Sequence, residues 1–216
     1  MGVRGAAVSS KMSPGIQTFR RENMSLFGGS GGFREPQKIR INDKKLSDIL
    51  TAHANFVRGS EGGVRAELVG ADLSRADLRK SNLMYADLQG ANLEGANLRD
   101  AKLGSADLSK AKLMRADLRK ADFTEAHMDG ADLTEAQAGG CEFFRASAQQ
   151  VNWNRADLVA ANLRDANIDG STFEGTILRT TILRETKLDK VDLSRAEGLD
   201  AAIMPRGYRA PVAAKS

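Results

Sequence analysis

Rows of aspartate, two histidines, one cysteine and a series of arginines are the residues whose types could do chemistry. Asp72, Asp77, Asp87 and Asp107 recur at multiples of five residues. Carboxylates so spaced could work as an acid/base pair or hold a divalent cation. His53, His127 and Cys141 are the side chains that could act as base, nucleophile or zinc ligand. Arg79, Arg99 and Arg119 recur every 20 residues, a spacing that could present guanidinium groups to phosphates or acidic side chains. Which chemistry survives depends on the element that positions each group.

That element has a period of five. From Ala66 to Ile203 the chain reads AELVG, ADLSR, ADLRK, SNLMY, ADLQG and onward, 28 pentads in all. With the central residue called i, position i−2 is Ala in 20 pentads and i is Leu in 18, most other centres being Phe, Met, Ile or Trp. A helix repeats every 3.6 residues and a strand every 2, so neither gives this period. A fixed short repeat marks a solenoid whose units bury their apolar side by stacking on neighbours. Positions i−2 and i then point inward, while i−1, i+1 and i+2 point outward. The aspartates are i−1 residues, repeated because an exposed site accepts Asp or Asn, and no concave pocket gathers them. Cys141 is an i−2 residue, a buried stand-in for Ala. There is no GxxxxGK[ST] run and no zinc-ligand spacing. The expectation is a protein that is not an enzyme, with no catalytic, cofactor-binding or metal site and no cofactor.

At its A(D/N)Lxx residues the chain resembles the pentapeptide-repeat family, over 138 of 216 residues with no break in register. The resemblance implies an all-β solenoid, a right-handed four-sided β-helix with four pentads per coil, hence about seven coils. Glycine supports four sides independently: Gly70, Gly90, Gly130 and Gly170 stand at i+2, separated by multiples of 20. Consecutive centres Ala138, Phe143, Ala148 and Trp153 alternate small and large, the compensation that a close-packed bore requires. Phe123 and Phe143 should stack one coil apart, as should Trp153 and Phe173.

The flanks differ from the rod. Residues 1–65 carry 11 basic and 5 acidic side chains, the repeats 18 and 23, and residues 204–216 three basic ones. Residues 1–37 read as a disordered basic arm containing Gly28-Gly29-Ser30-Gly31-Gly32. In it Ile16, Phe19, Met24, Leu26 and Phe27 are either scattered apolar residues or a docking peptide, and Met12 or Met24 is an alternative start. Residues 38–63 read as a capping α-helix and linker. The helix runs from Asn42 to Val57, with Leu46, Ile49, Leu50, His53, Phe56 and Val57 on one face and Asn42 or Ser47 as N-cap. His53 is read as part of that packing face. Residues 64–204 are the β-helix and 205–216 a flexible tail. No apolar run reaches the 18 residues of a membrane span and no export signal is evident. One Cys precludes an internal disulfide framework. These features fit a bacterial, cytoplasmic protein with no membrane partner.

Function therefore rests on surfaces. Arg79, Arg99 and Arg119 form one candidate face, read either as an anion-binding ladder or as a solvated face neutralised by Asp77, Asp100 and Asp117. Met84, Tyr85 and Phe144 point outward on the next side. Val159, Ala160, Ile177, Ile182 and Leu199 give the late coils outward apolar residues, which suggests a contact surface. Either the tail covers them or two rods meet there as a homodimer through the C-terminal coils. The primary reading is a scaffold presenting flat faces to a protein partner. The alternative comes from the family, some members of which mimic duplex DNA and modulate DNA gyrase. Mimicry needs dense negative charge, whereas this rod is only mildly acidic. Sequence-specific nucleic-acid binding is not expected, since no basic groove is paired with stacking aromatics.

Overall fold

Parallel backbone bridges step along the chain by 20 residues, and this spacing sets the architecture. In the computed structural model, which describes residues 32–208, the i−1 residues form four ladders. The first side runs Glu67, Asp87, Asp107, His127, Ser147, Asn167; the third runs from Asp77 through Asp117 and Asp157 to Glu197. The second and fourth sides run from Asp72 and Asn82 in the same way. Nearly every corner is a turn in which the N–H of i+3 donates to the carbonyl of i, as from Ala71 to Leu68 at 3.1 Å; at Val151 the N–H donates instead to the Ser171 hydroxyl (3.0 Å). At i+2, φ is positive at every pentad from Gly70 to Glu185, as a type II turn requires. Most of these i+2 residues are not glycine, so the stacked ladder holds a conformation that each would disfavour alone.

Burial follows the pentad. The leucines at i and alanines at i−2 are almost all buried and form one continuous core. The aromatic stacks occur as the spacing requires. Phe123 and Phe143 lie 5.1 Å apart at 12°, Trp153 and Phe173 6.2 Å apart at 13°. Phe143 also meets Trp153 edge-on at 5.2 Å and 84°, which is how Ala138 and Ala148 make room for two large rings. Where i−2 is polar in the later coils, the hydroxyl returns to the coil below, while Ser81 bonds the Leu78 carbonyl of the preceding corner (2.7 Å). Ser171, Thr176, Thr181 and Thr186 donate to the carbonyls of Ala148, Trp153, Leu158 and Leu163 at 2.7–2.8 Å. Buried hydroxyls are thereby satisfied within the ladder.

Three sequence expectations need correction. First, the helix begins later than Asn42. Asn42 and Asp43, with φ of 46° and 66°, form the turn of a hairpin between β1 (Arg40–Ile41) and β2 (Lys44–Lys45). Two consecutive left-handed residues make a type I′ turn, which matches the twist of the strands. Helix α1 spans Leu46–Arg58 with Lys45 as N-cap and no side-chain cap; Gly59, φ 68°, ends it. Second, residues 32–37 do not belong to a free arm. The Arg34 N–H donates to the Arg75 carbonyl (2.7 Å) and its carbonyl accepts the Asp77 N–H (2.9 Å), making a rung beneath the first coil. The rest of the expected arm, with its docking-peptide residues, lies outside the described residues. Third, the register slips once. Ile177 pairs with Glu197, 20 residues on, but Ile182 pairs with Ile203, 21 on. The added residue is absorbed by a 3-10 turn at Leu199–Ala201, entered through Gly198. A Cβ at Gly198 would sit 2.4 Å from Arg179 Cγ and 3.2 Å from its backbone nitrogen, so the slip needs glycine there. Ile203 is consequently an outward ladder residue and not a bore residue, and it is 40% exposed. Of the expected tail, Tyr208 closes a turn on the Pro205 carbonyl (3.2 Å) and residues 209–216 lie outside the described ones.

Candidate interaction surface

The outward positions are not merely polar. Every Asp and Asn at i−1, 15 side chains from Asp72 to Asp192, accepts the backbone N–H of i+1 through Oδ1 at 2.8–3.4 Å. These Asx turns use a short side chain to satisfy a corner amide that the ladder leaves unpaired. Ser147 and Thr172 cannot reach it; there the amides of Gln149 and Glu174 are taken by Asp129 and Asn154 from the coil below, at 2.9 and 2.8 Å. The aspartate rows are thus occupied in structure. Among the described residues no group of three His, Cys, Asp or Glu could hold a metal ion.

The remaining titratable groups sort the same way. Cys141 is buried, its Sγ donates to the Leu118 carbonyl at 2.8 Å, and burial pushes its pKa well above the ordinary thiol value, which keeps it a thiol rather than a nucleophile. His53 is buried and bonded to the Ala66 amide. A cleft of about 390 Å³ between α1 and the first coil is lined by Leu50, Ala54, Arg58, Asp77 and Arg79, but its Asp77 and Arg79 neutralise each other.

The arginine ladder divides according to the i−1 residue beneath each guanidinium. Asp77 grips Arg79 through both carboxylate oxygens (2.8 and 2.6 Å), and Asp117 grips Arg119 identically. The hydrogen bonds from Arg79 come first in holding the Asp77 carboxyl below its usual range, and the same contact raises the Arg79 guanidinium further. Arg99 stands above Asn97, which carries no charge, and has no carboxylate at ion-pair distance among the described residues. The three do not act as one anion-binding strip.

On the fourth side Met84 lies half-buried across Gly104, its Cε 3.7 Å from where a Cβ would be, while Tyr85 is 48% exposed. Phe144 is half-buried beneath two cations, Arg145 at 4.8 Å and Arg164 at 5.7 Å from the ring centroid. Those arginines are further tied to Asp165 (3.1 Å) and Glu185 (2.7 Å) in the next coil.

Ile177 and Ile182 differ from all of these. At i−1 every residue from Glu67 to Thr172 is polar; then two adjacent pentads carry isoleucine. Neither can accept a corner amide, so the Asx bond is forgone at Arg179 and Arg184. Both isoleucines are half-buried, and Ile203 lies one rung above Ile182. Arg179 and Arg184 have no carboxylate at ion-pair distance among the described residues. Leu199, by contrast, packs against the core, and Val159 is half-buried. Sequence reading found these isoleucines but not Ile203, which the five-residue count had placed in the bore.

The comparison with protein families bears on the whole rod. The model described as "Pentapeptide repeats (8 copies)" matches residues 64–100, 101–137 and 141–179. The chain belongs to the pentapeptide-repeat family. Its fold is accordingly a right-handed quadrilateral β-helix. Among solved structures it is similar to QnrB1, a plasmid-mediated fluoroquinolone resistance protein, with a TM-score of 0.53 and 19% identity. That match covers 59% of this chain and 65% of QnrB1, less than two thirds of it. It is also similar to a pentapeptide repeat protein of the Arabidopsis thaliana thylakoid lumen (TM-score 0.35, 26% identity, 54% and 67% covered). A third likeness is to HetL of Nostoc sp. strain PCC 7120, involved in heterocyst differentiation regulation (TM-score 0.22, 29% identity, 66% and 86% covered). No curated protein matches the chain. Among the described residues, no helix of this pentapeptide-repeat protein is long and apolar enough to cross a membrane.

Proposed function

We propose that this pentapeptide-repeat protein is a non-catalytic, cytoplasmic protein-interaction module. In this reading a rod of about seven coils, closed at its N-terminal end by α1, presents its sides to a protein partner. The observation that carries the reading is the break in the outward pattern at Ile177 and Ile182. Two corner hydrogen bonds are forgone there, and aliphatic side chains take their place, flanked by Arg179 and Arg184, which have no carboxylate at ion-pair distance among the described residues. Local rules broken without a compensating gain in the fold mark functional positions, and arginine beside apolar anchors is the composition of interface centres. The same corner suits a second copy of the chain. An isologous contact would set Ile177, Ile182 and Ile203 against their counterparts in the other copy. Tyr85, Phe144, Met84 and Arg99 are a secondary face; Arg79 and Arg119 contribute less because their charge is already met.

The test is affinity capture from the native cell with the full chain and with Ile177→Lys/Ile182→Lys as bait, quantified by mass spectrometry. A protein retained by the first and lost from the second supports the reading. Identical capture by both baits removes the isoleucine corner from it.

The likeness in fold to a fluoroquinolone resistance protein favours a second reading, modulation of DNA gyrase through duplex mimicry. Against it stands the charge of the rod, 18 basic to 23 acidic residues, where a duplex carries a phosphate about every 1.7 Å. A gyrase supercoiling assay with added protein separates the two: altered supercoiling or altered quinolone sensitivity favours mimicry.

A further inference from the structure

His53 is fully buried on α1, at the joint between that helix and the first pentad. Its Nδ1 accepts the N–H of Ala66, the residue that opens the rod, at 3.0 Å. A nitrogen that accepts carries no proton, so the ring is the neutral tautomer with its hydrogen on Nε2. Nε2 is itself buried without a hydrogen-bond partner; the Met84 carbonyl is near enough to favour a charged ring slightly but lies outside bonding geometry. Phe56 stacks on the imidazole at 5.7 Å and 17°. The charged group that acts on it is Arg65, from the linker, held by the Tyr85 carbonyl (2.5 Å) and the Glu67 carboxylate (3.5 Å). Lys44 and Lys45 on the hairpin, and Asp48 and Arg58 on α1, are exposed to solvent.

We propose that His53 is an acid-sensitive latch: a proton arriving at Nδ1 displaces the Ala66 N–H and releases α1 from the first coil while the coils beyond stay folded. In the imidazolium both nitrogens are donors, so Nδ1–H would face Ala66 N–H, beside the like charge of Arg65. Burial is the main cause that holds the His53 pKa below its ordinary value of 6.5; the Met84 backbone opposes it, and the Arg65 charge adds a smaller push in the same direction as burial. The released ring is free to titrate normally. The closed latch is therefore stable above about pH 6.5 and loosens as pH falls below that value, toward the lowered pKa of the closed form. Opening is favoured progressively through that window, by at most about tenfold per pH unit, and no further once pH falls below the closed form's lowered pKa. Opening bares the lower strand edge of the first coil, the kind of unpaired edge that pairs with another chain. The other histidine, His127, is exposed on the first side and serves as an internal control.

Amide hydrogen exchange on the full chain at pH 7.5 and 5.0, corrected for intrinsic rates, tests the latch. Protection at Ala66 should drop at the lower pH, by up to about 30-fold, with Leu113 unchanged. His127→Gln should behave as the parent, and His53→Phe should show no such pH dependence at Ala66. If His53→Phe does not fold, NMR titration of the parent's His53 ring decides, with its midpoint expected below the ordinary 6.5. Protection at Ala66 that is constant with pH, a parallel loss at Leu113, or a His53 ring titrating at or above 6.5 would overturn the proposal.

Discussion

At i−1 the choice of Asp or Asn is a structural requirement before it is a surface property. The Oδ1 of Asp132 accepts both the backbone N–H (3.0 Å) and the hydroxyl (2.6 Å) of Thr134. Asp132→Ala should therefore cost about 1 kcal/mol, whereas Asp132→Asn, which keeps the acceptor, should cost much less. Urea unfolding followed by the fluorescence of Trp153, the chain's single tryptophan, measures both. Equal losses in the two variants would mean that the carboxylate charge, not the corner hydrogen bond, explains the residue. Ile177 and Ile182 stand out because each puts an aliphatic side chain where every earlier i−1 residue is polar, and gives up the bond that the Asp and Asn sites keep. Whether a given arginine is free was also legible one residue type away, since Asp77 and Asp117 clasp their arginines and Asn97 does not.

At the scale of elements, the bore holds the coils together. Leu113 is completely buried, while Arg115 lies outside and pairs with Glu94 at the surface. Leu113→Asp should bury an unpaired carboxylate and melt several coils, a loss of several kcal/mol, while Arg115→Ala should change stability by less than about 1 kcal/mol. Thermal denaturation by circular dichroism distinguishes them, and similar melting temperatures would refute the inward and outward assignment. At the N-terminal end Arg34, the hairpin and α1 lie on the first coil. A chain beginning at Gly32 should remain monodisperse, and one beginning at Gly59 should associate end to end; size-exclusion chromatography reads the difference, and identical elution profiles would contradict a plugging role. The repeat was legible because each pentad repeats its burial pattern, so any single coil predicts the next. The ends were not. Asn42-Asp43 precedes an amphipathic run and reads as a helix start, although two adjacent turn-forming residues are equally the centre of a hairpin. Arg34 forms its rung through its backbone and reaches Asp72 and Ser74 with its guanidinium, and a lone arginine outside the five-residue repeat carries no sequence signal of either contact. The slip at Gly198 was hidden because an apolar residue, Ile203, still occupied the fifth place.

At the scale of the molecule, the rod is a regular scaffold with one irregular corner. Ion pairs between successive coils, such as Glu135 with Arg155 and Glu174 with Arg195 at 3.1 Å, spread opposite charges along its length, so no side offers a continuous field of one sign. What distinguishes one end from the rest is the aliphatic group Ile177, Ile182 and Ile203 with Arg179 and Arg184 beside it. If that corner is the contact surface, and a second copy fits it, the most direct measurement is sedimentation equilibrium of the full chain beside Ile177→Lys/Ile182→Lys, each also checked by circular dichroism. The account predicts a dimer for the parent and a folded monomer for the double variant. A parent that stays monomeric at concentrations well above micromolar, or a double variant that dimerises as tightly as the parent, would contradict it.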